Sequence, residues 1–459
     1  MSENGKDHKY IGKRTIRPDG ADKVTGKATY GADFSQPGML WGAVKRSPHA
    51  HARIKSINFD KALALPGVKA VMSSEDIVEF PISGPPVLVG IADMRWICRN
   101  VMAREKALFE GHPVAAVAAT SKNVAAQAAK LIEVEYEVLP HVIDVEEAMQ
   151  PDAPILHDHV RAPGDDSGKP SNISGRLEHV LGDIDAGFKA ADVIVERSYK
   201  TKPVHQGYIE PHACLVSVSK DGAATVWSSS QGHFMVRAMC AHLTGIPQSS
   251  VKAIPAEIGG GFGGKTIVYL EPLALVLSRK TGRPVKMQMS REDVFRASGP
   301  TSGSSSKVKI GATKDGKITA VEATFCLQAG AFPGSPTRGA AGCAFAPYDI
   351  ENVKVTGIDV VCNRPKATAY RAPGAPIGAF PAESTLDLVA REIGMDPLEL
   401  RLKNAAKQGT KAAYGPVYNR IGYEETVRAA LEHPHYKTPL GPNQGRGVAS
   451  GFWFNAGGD

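Results

Sequence analysis

Runs of apolar residues and stretches of strict alternation divide the first 150 residues into short strands and helices. The apolar run 113–119 predicts a buried strand, and Ser121 fits the N-cap of an alanine-rich helix that ends near residue 132. Residues 133–138 then alternate between polar and apolar side chains, which indicates a second strand. The pattern predicts a mixed α/β domain over residues 21–150, after an N-terminal extension of residues 1–20.

Residues 151–178 are rich in proline, glycine, serine and aspartate, and they predict a linker or a long surface loop. Beyond it, the turns at residues 220–222 and 315–316 each join two strand patterns and predict hairpins. Helix patterns lie between and after these hairpins, so we expect a second domain of α+β class over residues 179–405. A tail over residues 406–459 follows, and its residues 445–455 have the pattern of an opening strand.

Composition excludes several classes of partner without changing this outline. Of the 459 residues, 42% are hydrophobic and 22% are charged, as in ordinary globular proteins. The net charge of +7 is spread without dense basic clusters, so we do not expect nucleic-acid binding. The chain has no apolar run of membrane-spanning length, and its six cysteines form no C-x-x-C pair for an iron–sulfur cluster or structural zinc. We therefore expect a cytoplasmic protein whose thiols are free and buried.

Five glycines lie within the eight residues of one loop, Gly259–Thr266. Because glycine has no Cβ, such a run indicates that the backbone comes very close to another group. The loop also matches the pattern of a phosphate-binding P-loop, with Lys265 and Thr266 as its working residues. Against this interpretation, Pro272 would kink a helix that began at the loop, and the turn signals predict antiparallel neighbours. A P-loop NTPase is therefore only a remote alternative.

Three separated stretches together resemble the molybdenum-binding subunit of the xanthine oxidase family of molybdenum hydroxylases. In chain order, Trp227–Gln231, the glycine loop and Ala369–Pro376 resemble that family's glutamine-presenting strand end, glycine-rich loop and arginine loop. Residues 22–30 and the α/β units after them resemble its hammerhead domain. The resemblance implies an N-terminal α/β hammerhead domain followed by the first half of an aldehyde oxidase/xanthine dehydrogenase-type molybdopterin-binding region.

The resemblance also implies a chemistry. A molybdenum centre held by a pterin would insert water-derived oxygen at an activated C–H bond, with hydride transfer to the metal centre. Gln231 would hydrogen-bond a molybdenum oxygen and Arg371 would stabilise negative charge, which makes these two the implied catalytic residues. Together with Phe262 they are also the residues implied to contact the metal. The implied cofactor-binding residues are Gly260, Gly261, Phe262, Gly263 and Arg371.

Substrate selection is implied for a further set of residues, namely Thr266, Pro373 and the stretch 329–334. Thr266 stands where purine-oxidising members carry a glutamate, so a purine substrate is not expected. Ala372 stands where carbon monoxide dehydrogenases carry a copper-binding cysteine, so that chemistry is not expected either. Taken singly, each motif residue also has a simpler interpretation: a turn residue for Gln231, core packing for Phe262 and a surface salt bridge for Arg371.

The resemblance implies an enzyme divided between subunits, as in the nicotinate dehydrogenase type. Undivided members continue with a further part that supplies most pterin contacts and a glutamate base. We interpret four carboxylates of this chain as capping or surface groups that do not replace that base, namely Glu210, Glu257, Glu271 and Glu383.

A second molybdopterin subunit would complete the site and share the molybdopterin, in its cytosine dinucleotide or another form. Separate subunits would carry 2Fe-2S clusters and FAD. The implied substrate is an N-heteroaromatic compound, an aldehyde or another aromatic compound with an activated carbon. A non-catalytic structural or assembly subunit is the main alternative.

Overall fold

The structure is a computed structural model that describes residues 9–10 and 12–454. The predicted N-terminal extension is therefore described in part, and residues 455–459 of the predicted tail lie outside the described residues. The strands are β1 (Leu40–Arg46), β2 (Ala52–Asn58), β3 (Val68–Met72), β4 (Leu88–Val89), β5 (Ala92–Asp93), β6 (Lys106–Ala107), β7 (Pro113–Ala119), β8 (Glu133–Val138), β9 (Ile173–Leu181), β10 (Val193–Thr201), β11 (Ala213–Val218), β12 (Ala224–Ser228), β13 (Val251–Pro255), β14 (Val285–Gln288), β15 (Ser304–Ala312), β16 (Ile318–Gly330) and β17 (Val353–Val361).

Helices cover the faces and ends of the sheets. They are α1 (Gly20–Thr25), α2 (Asp60–Leu63), α3 (Met94–Val101), α4 (Lys122–Leu131), α5 (Val145–Ala148), α6 (Ile184–Lys189), α7 (His233–Thr244), α8 (Glu271–Thr281), α9 (Arg291–Ala297), α10 (Thr337–Cys343), α11 (Ala375–Ile393), α12 (Pro397–Lys403), α13 (Tyr423–Glu432) and α14 (Pro434–Lys437). Among the described residues, none of these helices has the length and apolar character needed to cross a membrane.

The elements predicted from local pattern in the first domain are confirmed. The buried strand β7, helix α4 and the alternating strand β8 follow one another as expected. The Ser121 hydroxyl accepts a hydrogen bond from the Val124 amide at 3.2 Å, which caps α4 as predicted. All six cysteines are free and buried, also as predicted.

Seven strands from both halves of the chain form one sheet, in the order β13-β12-β11-β14-β1-β7-β3. Strand β1 of the predicted first domain pairs in parallel with β14 of the predicted second domain and antiparallel with β7. Helices α3, α7 and α8 pack their apolar residues against this sheet and form the largest core with it. The predicted domain boundary therefore does not separate two independent sheets.

A second sheet of five strands, β10-β15-β16-β17-β9, carries α10 and α11 on one face. The hairpin predicted at residues 315–316 is confirmed by the antiparallel pairing of β15 with β16. Strand β9 begins inside the segment 151–178 that composition predicts as a linker. Its half-exposed residues are stabilised by pairing with β17, a partner distant in sequence that local composition cannot reveal.

The opening strand expected in the tail is not found in its described residues 445–454. A strand requires a neighbouring strand to pair with its backbone, and this segment instead packs through its aromatic side chains. Phe452 and Phe454 lie against Tyr414, with ring centroids 6.1 and 5.2 Å apart respectively.

The interpretation of Glu383 as a capping or surface group is wrong. Its side chain is 4% exposed and accepts a hydrogen bond from Arg401 Nε at 2.8 Å. The Tyr348 hydroxyl and the Ser450 amide donate to the same carboxylate at 2.5 and 2.7 Å. These partners are distant in sequence and satisfy both carboxylate oxygens, which permits a charge inside the core.

We predict that Glu383→Gln lowers the free energy of unfolding by about 2–4 kcal/mol, because the buried Arg401 guanidinium would lose its buried counter-charge and keep only the partly exposed carboxylate of Asp387, 2.8 Å away. Chemical unfolding of the purified protein measures this change. The matched control is Glu392→Gln, an exposed position on the same helix α11, which should change stability by less than about 0.5 kcal/mol. If the two substitutions lowered the free energy of unfolding equally, the buried ion pair would not be required for stability.

Candidate active site

The glycine loop follows β13, next to the end of β12. Strands β12 and β13 are parallel and helix α7 connects them, so the expectation of only antiparallel neighbours is wrong here. Turn residues reveal hairpins, but they give no signal for a parallel pairing that is made through a helical crossover.

The loop nevertheless lacks the geometry of a P-loop. The following helix α8 begins only at Glu271, with Pro272 in its first turn. The Lys265 side chain is fully buried, and its Nζ lies 2.7 Å from Glu210 Oε2. The Thr266 hydroxyl donates to the Gly263 carbonyl at 2.8 Å. Both side chains that would bind phosphate and magnesium are thus engaged within the protein.

Glu210 anchors the loop and is not the capping or surface group that we expected. Its Oε2 accepts hydrogen bonds from Lys265 Nζ and from the Gly259 amide, each at 2.7 Å, and its side chain is 10% exposed. Glu271 is buried and is therefore not a surface group, and its pKa is raised by desolvation. Its Oε2 accepts a hydrogen bond from the Tyr269 amide at 3.1 Å at the start of α8, which agrees with the interpretation as a capping carboxylate. Glu257 is half-buried and forms an ion pair with Lys23.

Gln231 follows the end of β12 and bonds to the backbone of the glycine loop. Its Oε1 accepts hydrogen bonds from the Gly263 amide at 2.8 Å and the Lys265 amide at 3.2 Å. A Cβ atom on Gly261 would lie 2.5 Å from this oxygen, so the contact requires glycine. With Oε1 engaged, the side-chain Nε2 of Gln231 has no hydrogen-bond partner within the described part of the chain and can donate to a bound group.

The arginine loop meets the glycine loop through backbone contacts. The Arg371 amide donates to the Phe262 carbonyl at 2.9 Å. A Cβ atom on Gly263 would lie 2.5 Å from the Ala369 carbonyl oxygen, so glycine is again required. Phe262 and Ala372 have φ angles of 51° and 60°, in the left-handed region that non-glycine residues rarely adopt. Such backbone strain is concentrated at functional sites.

The junction, by which we mean the place where the glycine loop, the arginine loop and Gln231 meet, has solvent-exposed side chains. Phe262 is 50% exposed, and Gln231 and Arg371 are also exposed. The Arg371 guanidinium makes no hydrogen bond or ion pair with any residue that the structure describes. The structure thus brings together the three motifs that were separated in sequence, while the roles predicted for their residues stay predictions.

A cavity of about 620 Å³ lies beside this junction. Gln231, Thr266 and Pro373 line it, so the two predicted pocket residues share one cavity with the predicted catalytic glutamine. Phe262 and Arg371 are not part of its wall. A larger cavity of about 1210 Å³, lined by parts of β1 and α4, contains no residue of the three motifs. The smaller cavity is therefore the candidate substrate pocket.

Most of the pocket wall is apolar and was not predicted from the sequence. Helix α3 contributes Trp96 and Ile97, α7 contributes Met235, and Pro333 comes from the stretch 329–334 that we expected at the pocket. The sequence carries no local signal for the helical residues, because they look like ordinary core positions. Lys366 was also missed, although it lies only five residues before Arg371.

Two family models match the chain. The molybdopterin cofactor-binding domain matches residues 166–405, and the a/b hammerhead domain of aldehyde oxidase and xanthine dehydrogenase matches residues 25–140. The chain therefore belongs to the molybdopterin-binding family of aldehyde oxidases and xanthine dehydrogenases, and the predicted fold class is confirmed.

Among curated relatives, the chain is 34% identical to the nicotinate dehydrogenase large molybdopterin subunit of Eubacterium barkeri, over 93% of this chain and 97% of that one. It is also 34% identical to the carbon monoxide dehydrogenase large chain of Afipia carboxidovorans, over 90% of this chain but 52% of the relative. The chain thus spans about half the length of that relative. Its fold matches aldehyde oxidoreductase from Desulfovibrio gigas with a TM-score of 0.82 at 30% identity, over 92% of this chain and 46% of that one.

The residues at the junction fit a metal that is held by a pterin. Among the described residues, no group of three or more histidine, cysteine, aspartate or glutamate side chains could hold a metal ion directly. The junction offers hydrogen-bond donors instead, namely the Gln231 amide and the Arg371 guanidinium, next to glycine backbone. Such donors complement the oxygens of an anionic group and leave direct ligation to the cofactor.

We predict that Gly263→Ala lowers the free energy of unfolding by about 1–3 kcal/mol more than Gly415→Ala does. Both glycines have strongly positive φ angles, of 105° and 117°, but a Cβ atom would meet the Ala369 backbone only at Gly263. The difference in unfolding midpoint between the two variants isolates the steric overlap from the backbone strain. Equal midpoints would mean that the two loops are not in tight contact.

We also predict that millimolar Mg-ATP leaves the thermal unfolding midpoint unchanged, because the Lys265 ammonium is paired with Glu210. A nucleotide present at 1,000 times its Kd would add about 4 kcal/mol to stability. The measurement is the thermal unfolding midpoint of the protein with and without the nucleotide. A rise in midpoint that disappears in Lys265→Met would restore the P-loop interpretation.

Proposed function

We propose that this chain is the catalytic, molybdenum-cofactor-binding subunit of a multi-subunit molybdenum hydroxylase. Its reaction is the insertion of water-derived oxygen at an activated C–H bond of an N-heteroaromatic or aldehyde substrate. The observation that supports this proposal is the convergence of Gln231, Phe262 and Arg371 beside an apolar cavity large enough for a ring.

The molybdenum–pterin group, when bound, supplies the oxygen insertion and accepts the electrons. The Gln231 side-chain amide is proposed to donate a hydrogen bond to an oxygen of that group, because its own oxygen is engaged by the glycine loop. Arg371 is proposed to stabilise negative charge that develops during the reaction, since its guanidinium is unpaired among the described residues. The glycine backbone at 260–263 permits close approach of the bound group.

The cavity is proposed to orient the substrate and exclude water from it. Its apolar residues, including Trp96 and Ile97, suit a planar ring. Thr266 and Pro373 lie in the same wall and are proposed to select among substrates. The relative from Eubacterium barkeri, by its name, acts on nicotinate, which supports a single-ring N-heteroaromatic substrate of the pyridine type over a purine.

The general base is proposed to come from a second molybdopterin subunit that completes the site. Each of the four carboxylates considered for this role is already engaged: Glu210 by Lys265, Glu257 by Lys23, Glu383 by Arg401, and Glu271 by the amide of Tyr269. The relative from Eubacterium barkeri is, by its name, a large molybdopterin subunit, and this name further supports division of the site between chains. We propose that the partners share the molybdopterin, in its cytosine dinucleotide or another form, and that separate 2Fe-2S and FAD subunits accept the electrons.

The test is to purify the complex from its native host through a tag on this chain and to measure molybdenum by mass spectrometry. We expect molybdenum in proportion to this chain. In Arg371→Met, we expect the metal content to persist while kcat falls by about 10²–10³-fold, as when a charge-stabilising group is removed. Arg391→Met, at an exposed position on α11, is the control and should retain activity. An intact complex without molybdenum would contradict the proposal and favour a structural or assembly subunit.

A further inference from the structure

The cavity of about 1210 Å³ beside β1 and α4 has no role in the proposed chemistry. It is a cleft with β1 and α4 on one side and β14 and the start of α9 on the other. It therefore lies between the segments that match the hammerhead domain and the molybdopterin cofactor-binding domain. Apolar residues such as Val44 and Met287 form part of its wall. The charged residues of the wall are Lys45, Arg46, Lys122, Lys130, Glu133, Arg291 and Asp293.

The positive charge of the cleft is only partly balanced. Its wall has five cations and two carboxylates, so three positive charges are in excess. Arg46 forms an ion pair with Asp293 at 2.5 Å, and Glu133 pairs with Lys61 outside the wall. The other cations of the wall form no ion pair with a carboxylate in the part of the chain that the structure describes, namely Lys45, Lys122, Lys130 and Arg291.

The charges next to the wall do not remove this excess. On α9, Arg296 is paired with Glu110 at 2.8 Å and with Glu292 at 3.2 Å, which adds one negative charge. Lys61 adds one positive charge on the other side, so the two contributions cancel. Lys122, Lys130 and Arg291 are exposed, and a molecule in solution can reach them.

An exposed apolar patch, formed by Ile209 and Phe295, borders the cleft. These side chains are 88% and 52% exposed. Arg291 lies between them, because its guanidinium donates to the Ile209 carbonyl and lies 5.5 Å from the centre of the Phe295 ring. His205 packs against the same ring with centroids 5.1 Å apart, and desolvation lowers its pKa to about 4, so it is neutral at pH 7. Aromatic residues and arginine are enriched in protein interfaces.

The dimensions of this surface favour a protein over a small anion. Lys122 and Lys130 lie at opposite ends of α4, roughly 12 Å apart along the helix axis. A single phosphate or carboxylate group cannot contact both. A small anion in the cleft would also leave Ile209 and Phe295 exposed to water, whereas a protein surface can cover the patch and the cleft together.

We propose that the cleft and the apolar patch together form a docking surface for a protein subunit with an acidic face. The partner would place carboxylates opposite the unpaired cations and an apolar side chain against Ile209 and Phe295. The inference rests on the proposed function only in that this chain works in a multi-subunit complex. Gln231 and Arg371 lie outside this surface, so a subunit bound here leaves them accessible.

The test is to purify the complex from its native host through a tag on this chain, to immobilise it and to raise the NaCl concentration in steps. Mass spectrometry identifies each released subunit. In Lys122→Glu/Lys130→Glu, we expect one acidic subunit to be released at an NaCl concentration at least about twofold lower than in the wild type, or to be absent, because repulsion replaces attraction. Ile209→Ser should also lower that concentration, because an apolar anchor is lost.

The matched control for the lysines is Lys69→Glu/Lys252→Glu. Both lysines are exposed, form no ion pair among the described residues and lie outside the cleft, on the two edge strands β3 and β13 of the same sheet. The control changes the net charge equally, so it should leave the release unchanged. Ile194→Ser, at an exposed position on β10, is the control for Ile209→Ser. All four variants should keep the wild-type thermal midpoint within a few degrees.

Three outcomes would overturn the inference. One is an unchanged release in Lys122→Glu/Lys130→Glu, or an equal shift in its control. Another is early release of a subunit whose sequence is basic. The third is a rise in the thermal midpoint with millimolar pyrophosphate that Lys122→Glu/Lys130→Glu abolishes, because the cleft would then be a site for a small anion.

Failure of the proposed function gives a different result. A complex without molybdenum, from which the lysine variant still releases an acidic subunit early, would contradict the proposed function and leave the docking surface standing. An active, molybdenum-loaded complex with unchanged release in that variant would overturn only the docking surface.

Discussion

The ion pair between Lys265 and Glu210 fixes the glycine loop on which the candidate site depends. A loop with five glycines among its eight residues has little side-chain packing of its own and loses much backbone entropy when it is ordered. Glu210 offsets this by binding the loop near both ends, at the Gly259 amide and at Lys265 Nζ. Buried pairs of this kind often contribute little net stability, because both charges must be desolvated. Its effect here is geometric, since it gives a glycine-rich segment one conformation.

Tyr208 lies beneath the loop and extends this constraint. The Lys265 Nζ lies 5.0 Å from the centre of its ring, and a Cβ atom on Gly260 or Gly264 would come within about 3 Å of the tyrosine side chain. The Tyr208 hydroxyl is hydrogen-bonded to His212 at 2.7 Å. Burial and the nearby Lys265 charge lower the pKa of His212, so that ring stays neutral. The glycines therefore permit close contacts on two sides of the loop, with Tyr208 on one side and with Gln231 and Ala369 on the other.

The sequence predicted those features of the fold that depend on a local residue pattern or on the order of the motifs. Strand β7, the Ser121 cap of α4 and strand β8 depend on residues close in the chain, and they were found where the pattern indicated. The meeting of the glycine and arginine loops followed from the family resemblance, since no periodicity indicates that Arg371 lies against Phe262. Pairings between distant segments could not be predicted in this way. Strand β9 exists through its pairing with β17, and the parallel pairing of β1 with β14 joins the two predicted domains.

Charged residues were the hardest to place, because a carboxylate in a sequence looks the same whether it is exposed or buried. Glu383 and Arg401 are 18 residues apart, and both are removed from water by the packing of α11 against α12 together with Tyr348 and Ser450 from other parts of the chain. The same limit applies to Lys366, which a motif-based interpretation passes over in favour of Arg371.

Arg371 and Lys366 differ in their surroundings. Arg371 is exposed beside strained backbone at Phe262 and Ala372, where a group from outside this chain can reach it. Lys366 instead lines the cavity and is held by two carbonyls of a fixed turn. A cation that is already held in place loses less conformational entropy when it binds a ligand than a flexible one does. Arg371 is therefore accessible to a group from outside this chain, whereas Lys366 belongs to the wall of the cavity.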